Sequence, residues 1–379
     1  MSTLSGMVAL GAIAKKKAPE VAQFLVPKNG FAHETIAVSL TKGMIAKNQG
    51  QFPDEPNSVS YDLALQAFKS EPATPEAIAV VALAKDPSVR RSLMKKAFDL
   101  SRRQKLATGW LVLDSGARND VTSVLEYYDT ILRISSSSAD VIMPALANAL
   151  INDNFIEPGA AMLSHNPPWA DSFWRYVIAT PKALSNAADL RLRLHELDGP
   201  KDPNQDKALI AALANNNLFH NALKLYILLS ESTKTPDLIQ NHEFRSDSHY
   251  PPMDWKLFSN GEYGASIDRG SLNLSAIRNS GGIFARQLVM LPKKTLTLQV
   301  KFSQVVLPDN DLYLGLSCAE DIKNKPRNVR IALAGDSVTR TIDNRESLCD
   351  FYWLDIAGRS ADDGEGFDFA IASVSLRSQ

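Results

Sequence analysis

A few short groups of residues carry side chains able to do chemistry. Ile331-Ala-Leu-Ala-Gly-Asp-Ser337 closes an apolar run on Gly-Asp-Ser, where Ser337 would stand as a nucleophile. Acyl transfer at such a serine needs a histidine base, here expected later in the chain, and the last histidine is His249. Gly335-Asp336-Ser337 therefore reads as a β-turn. The six histidines form neither His-x-His nor His-Glu-x-x-His, and His242 and His249 stand seven apart. The two cysteines, Cys318 and Cys349, have no partners at zinc-ligand spacing. Asp362-Asp363-Gly364-Glu365-Gly366 is acidic but lacks the ligand ladder of a calcium loop, and it reads as a solvated turn. There is no glycine-rich phosphate loop. The residues predict no catalytic constellation, no metal and no cofactor.

The elements that would position any site change character near residue 240. A chain of 379 residues is long for one core, and two domains are expected, 1–240 and 241–379. Hydrophobic residues at 45% and charged residues at 22% fit ordinary globular folding. The net charge of −1 divides into about +1 before residue 241 and about −2 after it. Neither half is basic, which argues against nucleic acid as a partner. The apolar run Leu4 to Ala14, followed by Lys15-Lys16-Lys17, is too short to cross a bilayer. Its charges follow the apolar stretch instead of preceding it, unlike a signal peptide, so it reads as a first helix or as the trimmed end of an anchor or leader.

From about Glu20 to Ser230 apolar residues recur at three- and four-residue spacing. Asp86-Pro87-Ser88 and Ser138-Ala139-Asp140 offer helix caps, and Pro75, Pro144 and Pro181 are expected in first turns. Val121, Val124, Leu125, Tyr128, Ile131 and Leu132 form one helical stripe. Related pieces at Tyr61–Phe68, Met94–Phe98 and Asn221–Leu228 suggest degenerate repeats stacked as an α-solenoid of helix hairpins. Asn166-Pro167-Pro168-Trp169 interrupts them, and the aromatics that follow, Phe173, Trp174 and Tyr176, read as core.

Beyond residue 250 eight strands are expected: 253–258, 265–277, 281–291, 294–306, 311–319, 329–334, 349–357 and 367–376. Leu296, Leu298, Val300 and Phe302 alternate with Thr297, Gln299, Lys301 and Ser303, so one face is core and the other polar. The pattern argues for an antiparallel β-sandwich or jelly roll. Cys318 and Cys349 would be buried thiols in a reducing compartment. In an oxidising one they could close a 31-residue loop, worth about 3–4 kcal/mol. The linker Glu231–Pro236 is short, which predicts fixed docking of the two domains.

The segment Gly116 to Arg133 resembles the end of one tetratricopeptide helix and the whole of its partner. That resemblance implies a concave face holding a peptide or partner protein. Asn241-His-Glu-Phe244 with Met253-Asp-Trp255, then Ala285-Arg-Gln-Leu-Val-Met-Leu-Pro292, then Phe367–Leu376 resemble carbohydrate-binding modules of families 4, 9 and 22. The whole arrangement is similar to bacterial envelope proteins associated with exopolysaccharide production, which carry a membrane anchor before their repeats. No such anchor is visible here. Their paired cysteines imply that Cys318 and Cys349 pair in an oxidising compartment, the periplasm or cell envelope.

Under the carbohydrate-module resemblance, a site needs flat apolar faces and planar polar groups for hydroxyl pairs. Candidates are Tyr313, Arg286, Gln287 and Trp353, with Asp268 and Arg269 at a strand. Tyr313 leads because Leu312, Leu314 and Leu316 take the alternate face. Trp255 reads as core, while Trp353 shares a face with Phe351, and Tyr352, Leu354 and Ile356 share the other. The expected function is a non-catalytic envelope scaffold in exopolysaccharide biosynthesis or export, its helices docking a partner protein and its sandwich contacting polysaccharide. The alternatives are a hydrolase or accessory subunit of a carbohydrate-active enzyme, and a purely structural assembly protein.

Overall fold

Local capping chemistry sets where the helices begin. Asn29, Asn57 and Asp120 each accept from a backbone amide three residues on, and Asp202 accepts from Asn204 and Gln205, while Pro19, Pro75, Pro87 and Pro203 open first turns. A computed structural model describes residues 17–230, 237–306, 311–323, 328–361 and 366–379. The apolar run at 4–14, the linker at 231–236 and the acidic loop at 362–365 lie outside the described residues.

Thirteen α-helices lie among the described residues: α1 Pro19–Leu25, α2 Gly30–Lys47, α3 Ser58–Ser70, α4 Pro75–Leu83, α5 Pro87–Leu100, α6 Lys105–Ala117, α7 Val121–Ile134, α8 Ala139–Ala149, α9 Ile156–Leu163, α10 Ala170–Ile178, α11 Leu184–Glu196, α12 Pro203–Asn215 and α13 Phe219–Leu229. Pro144 departs from expectation, for it lies inside α8 and not in a first turn. The chain forms two compact units, 1–143 with 167–170, and 144–166 with 171–379.

The first unit packs its helices through alanine. Ala37, Ala64, Ala67, Ala77, Ala79, Ala82, Ala97 and Ala107 are fully buried around Leu83, Met94 and Leu111. Side chains this small let helix axes approach closely, so the stripes predicted from sequence become core with few large residues. Within this unit Trp169 donates its indole N–H to Asp129 Oδ1 at 2.9 Å.

The second unit joins helices to a two-sheet antiparallel sandwich. Its strands are β1 Lys256–Leu257, β2 Tyr263–Asp268, β3 Ser271–Ile277, β4 Gly281–Met290, β5 Thr295–Val306, β6 Asp311–Cys318, β7 Val329–Ala332, β8 Gly335–Asp343, β9 Phe351–Arg359 and β10 Gly366–Ser378. One sheet runs β1-β4-β9-β6-β7 and the other β2-β3-β10-β5-β8. Leu296, Leu298 and Val300 from one sheet meet Leu312, Leu314, Leu316, Leu354 and Ile356 from the other in a single core, as alternation requires. Phe173 and Trp174 are buried, and Phe155 stacks on Phe173 at 6.0 Å.

Three strand expectations are corrected. The stretch 265–277 is a hairpin, β2 and β3, because Arg269 and Gly270 both take positive φ, the two-residue turn that matches strand twist. Gly335-Asp336-Ser337 is no isolated turn: Gly335 has φ +88° and opens β8, which pairs with β5. The opening strand at 253–258 shrinks to β1, since Asp254 spends its carboxylate on the amides of His249 and Tyr250 and on the Ser248 hydroxyl, holding 248–254 as a folded loop.

The sandwich starts upstream of residue 241. Ile239 is fully buried in its core, and Asp237 Oδ1 accepts from the amides of Ile239 and Leu376, pinning the entering chain to β10. Helix α13 also seats on the β1-β4-β9-β6-β7 sheet, where Phe219 meets Phe351 at 5.4 Å and Trp353 at 6.3 Å. Tyr226 of the same helix meets Tyr250 edge-on at 6.2 Å.

Burial, reinforced by the Asp254 carboxylate, pushes the Tyr226 phenol up to about 12. Because the folded value lies above the unfolded one near 10, this stabilisation is whole below pH 10 and is lost as pH rises toward 12. The alkaline loss amounts to about 2–3 kcal/mol. Tyr226→Phe is expected to flatten the alkaline limb of a plot of stability against pH, read from urea midpoints. Parallel alkaline losses in both proteins would refute this role for Tyr226.

Candidate functional site

The outward face of the β1-β4-β9-β6-β7 sheet gathers the candidate residues that lie together. Register fixes one row across all five strands: Lys256 opposite Arg286, Arg286 opposite Asp355, Asp355 opposite Gly315, and Gly315 opposite Arg330. Trp353 stands one step along β9 in one direction, and Tyr313 one step along β6 in the other. Leu312, Leu314 and Leu316 point into the core, which leaves Tyr313 half-buried on the outer face.

Each aromatic is paired with an arginine. Arg286 donates through Nε and Nη2 to the two Asp355 oxygens at 2.6 and 2.8 Å, and its guanidinium carbon lies 5.1 Å from the Trp353 ring centroid. Arg330 Nη2 donates to both Asp311 oxygens at 2.5 and 2.6 Å, while its guanidinium lies 3.8 Å over Tyr313. The hydrogen bond that Arg286 donates to Asp355 raises it above the usual guanidinium range, and the one to Asp311 does the same for Arg330. Both arginines are therefore fixed cations. One face of each ring is taken by a guanidinium, so these platforms present planar N–H groups beside an aromatic edge.

Helix α12 stands over part of this face and encloses a pocket of about 470 Å³. Its wall is the stripe Asn204, Lys207, Ala208, Ala211 and Asn215, and its floor and rim are Lys256, Arg286, Trp353 and the cis Pro251–Pro252 pair. The volume suits a small ligand. Two alanines at the middle of the stripe leave room where larger side chains would meet the sheet.

The remaining candidates lie elsewhere. Gln287 is fully buried, and its amide receives the Gln240 N–H at 2.9 Å and donates to the Gln240 carbonyl at 3.1 Å. Its polar atoms are thus bonded to the entering chain and not presented outside. Asp268 and Arg269 form the exposed tip of the β2–β3 hairpin on the opposite sheet, paired at 3.5 Å. The outer face of that sheet has its own trough of about 580 Å³, with Ser266, Asn273, Ser275 and Gln304 beside Glu262 and Asp368. Cys318, at the end of β6, is disulfide-bonded to Cys349, two residues before β9.

Sequence reasoning missed the helical wall. Asn204, Lys207, Ala208, Ala211 and Asn215 recur at helical spacing with no large apolar residue among them, beside a buried stripe of Leu209, Ile210 and Leu213. That small, polar face was the available signal. Lys256 was hidden because the strand carrying it is two residues long.

No family model matches this chain, and no curated protein is similar to it. Among solved structures, a family 4 carbohydrate-binding module is 15% identical, with 37% of this chain and 99% of that one covered at a TM-score of 0.27. The module TmCBM61 in complex with β-1,4-galactotriose is 13% identical over 38% and 99% of the two chains, at 0.26. A structure of accessory secretory proteins 1, 2 and 3 of Streptococcus pneumoniae is 14% identical over 34% and 97%, at 0.25.

Proposed function

We propose that this protein is a non-catalytic carbohydrate-binding scaffold of the bacterial cell envelope, serving exopolysaccharide biosynthesis or export, and that it holds an oligosaccharide in the pocket between α12 and the sheet. The observation that carries the reading is the lining of that pocket. Asn204 and Asn215 amides, the Arg286 guanidinium and the Trp353 edge combine planar polar groups with an aromatic wall in one cavity. Vicinal hydroxyls pair with such groups, and the ring excludes water from one side of the ligand.

The helical unit supplies the protein contact in this reading, as a tetratricopeptide-like array. It carries a largely apolar cavity of about 620 Å³ lined by Phe68, Pro72, Ile78, Val81, Leu93 and Leu100, together with Lys96 and Asp99. The Cys318–Cys349 bond fits an oxidising compartment such as the periplasm. No helix among the described residues is long and apolar enough to cross a membrane.

A glycan array probed with the whole chain tests the proposal, beside Ala208→Trp, which fills the pocket from an exposed helix position, and Tyr313→Ala, which removes the other aromatic of the same face. Saturable binding lost by at least about 10-fold in Ala208→Trp and kept in Tyr313→Ala places the ligand under α12. Binding indifferent to Ala208→Trp removes the pocket from the account, and an array with no signal removes carbohydrate altogether.

A further inference from the structure

The pocket over this sheet carries more positive charge than a neutral sugar requires. Three cations line the pocket, Lys207, Lys256 and Arg286, and among the described residues no carboxylate does. Asp355, the nearest acid in the sheet row, has both oxygens taken by Arg286. Asp206, which neighbours Lys207 in α12, has both oxygens taken by Arg191. Lys207 and Lys256 make no salt bridge among the described residues, and the Lys256 ammonium lies 5.3 Å from the Phe258 ring centroid. The pocket is therefore left with two uncompensated ammonium groups beside the paired guanidinium.

The row continues beyond the pocket with paired charges, for Arg286 and Arg330 are each bonded to an acid of the same face, Asp355 and Asp311. Lys256, Arg286 and Arg330 belong to one register row across five strands, with Gly315 between the two arginine pairs. Four strand spacings of about 4.8 Å make that row roughly 19 Å long. A side chain at 315 would stand between Tyr313 and Asp355, whose atoms lie 3.7 and 3.8 Å from the position its Cβ would take. Glycine keeps the middle of the row low. The trough on the opposite sheet has the reverse character, with Glu262 and Asp368 and no basic residue among the described residues of its lining.

We infer that the ligand of this face is a linear acidic oligosaccharide, a chain bearing uronic-acid carboxylates, with one carboxylate taken by the lysines of the pocket and the chain directed along the row past Gly315. This rests on the carbohydrate reading above and names its substrate class. The pocket suits an acidic chain better than a neutral one. The Lys207 and Lys256 ammonium groups are matched to a carboxylate, whereas a neutral sugar gains most from a bare aromatic face, and here one face of each ring is covered.

Calorimetric titration of the whole chain with trigalacturonate and trimannuronate, each beside its carboxyl-reduced neutral counterpart, tests the inference. The acidic trimer is expected to bind at least about 10-fold more tightly than its neutral partner at low salt, and the advantage should shrink several-fold as exposed charges are screened. Lys207→Ala/Lys256→Ala, two exposed positions, should bring the acidic trimer to within about 3-fold of the neutral one. Equal binding of acidic and neutral trimers overturns this inference and leaves the carbohydrate reading standing. Silence from all four trimers overturns both. Polyglutamate binding as tightly as the acidic trimers also overturns it, since charge alone would then account for the affinity.

Discussion

A fragment of residues 241–379 is expected to fail as a folding unit, while 144–379 unfolds in one cooperative transition. A cut at 241 removes Ile239 from the sandwich core and Asp237 from the amide of Leu376. It takes away both backbone groups that satisfy the fully buried Gln287 amide. It also strips α13 from Phe351, a large side chain with no exposure in the intact chain. A lost core side chain costs about 2–5 kcal/mol and each orphaned buried polar group about 1–3, which together consume the usual stability of a domain of this size. Far-ultraviolet dichroism and urea unfolding of the two fragments decide the matter. Equal midpoints would show that the helices add nothing to the sandwich.

Asp206→Ala is expected to cost about 3–5 kcal/mol, because it strands the Arg191 guanidinium in the interior. The pair is bidentate at 2.6 and 2.9 Å, with both side chains almost wholly buried between α11 and α12. Arg191→Met/Asp206→Leu should recover most of the loss, since a buried ion pair exchanges for apolar packing at little net cost. Urea midpoints of the two proteins give the comparison, and a single variant within about 1 kcal/mol of the parent would contradict it. Asp206 precedes Lys207 on α12, so its loss should also loosen the pocket wall and weaken any ligand that depends on it.

Most of the architecture was legible because it rests on local periods. The change from helical to alternating spacing near residue 240 needs only side-chain sequence, and Leu312, Leu314 and Leu316 against Tyr313 follow from a period of two. Turn geometry was less legible. Nothing in 265–277 but Arg269-Gly270 announces a hairpin, and a positive φ at arginine is uncommon. Gln287 and Asp237 were opaque for another reason: their partners, Gln240 and Leu376, are set by tertiary placement 47 and 139 residues away. The candidate site was half visible. Arg286, Trp353 and Tyr313 sit on one sheet face, but the wall over Trp353 comes from a helix about 140 residues earlier, and no pattern within either segment links the two.

That the pocket's wall and floor come from separate stretches of chain makes occupancy a matter of mass action on the fold. Anything bound there touches α12 and β9 together, so it binds only while helix and sheet are joined and stabilises that joined state by RT ln(1 + [L]/Kd). At a hundred times Kd the gain is about 2.7 kcal/mol. Under the proposed carbohydrate reading, glycan would act as a third component of the helix–sheet seam, and polymer abundance in the surroundings would set how long that seam survives thermal or proteolytic opening.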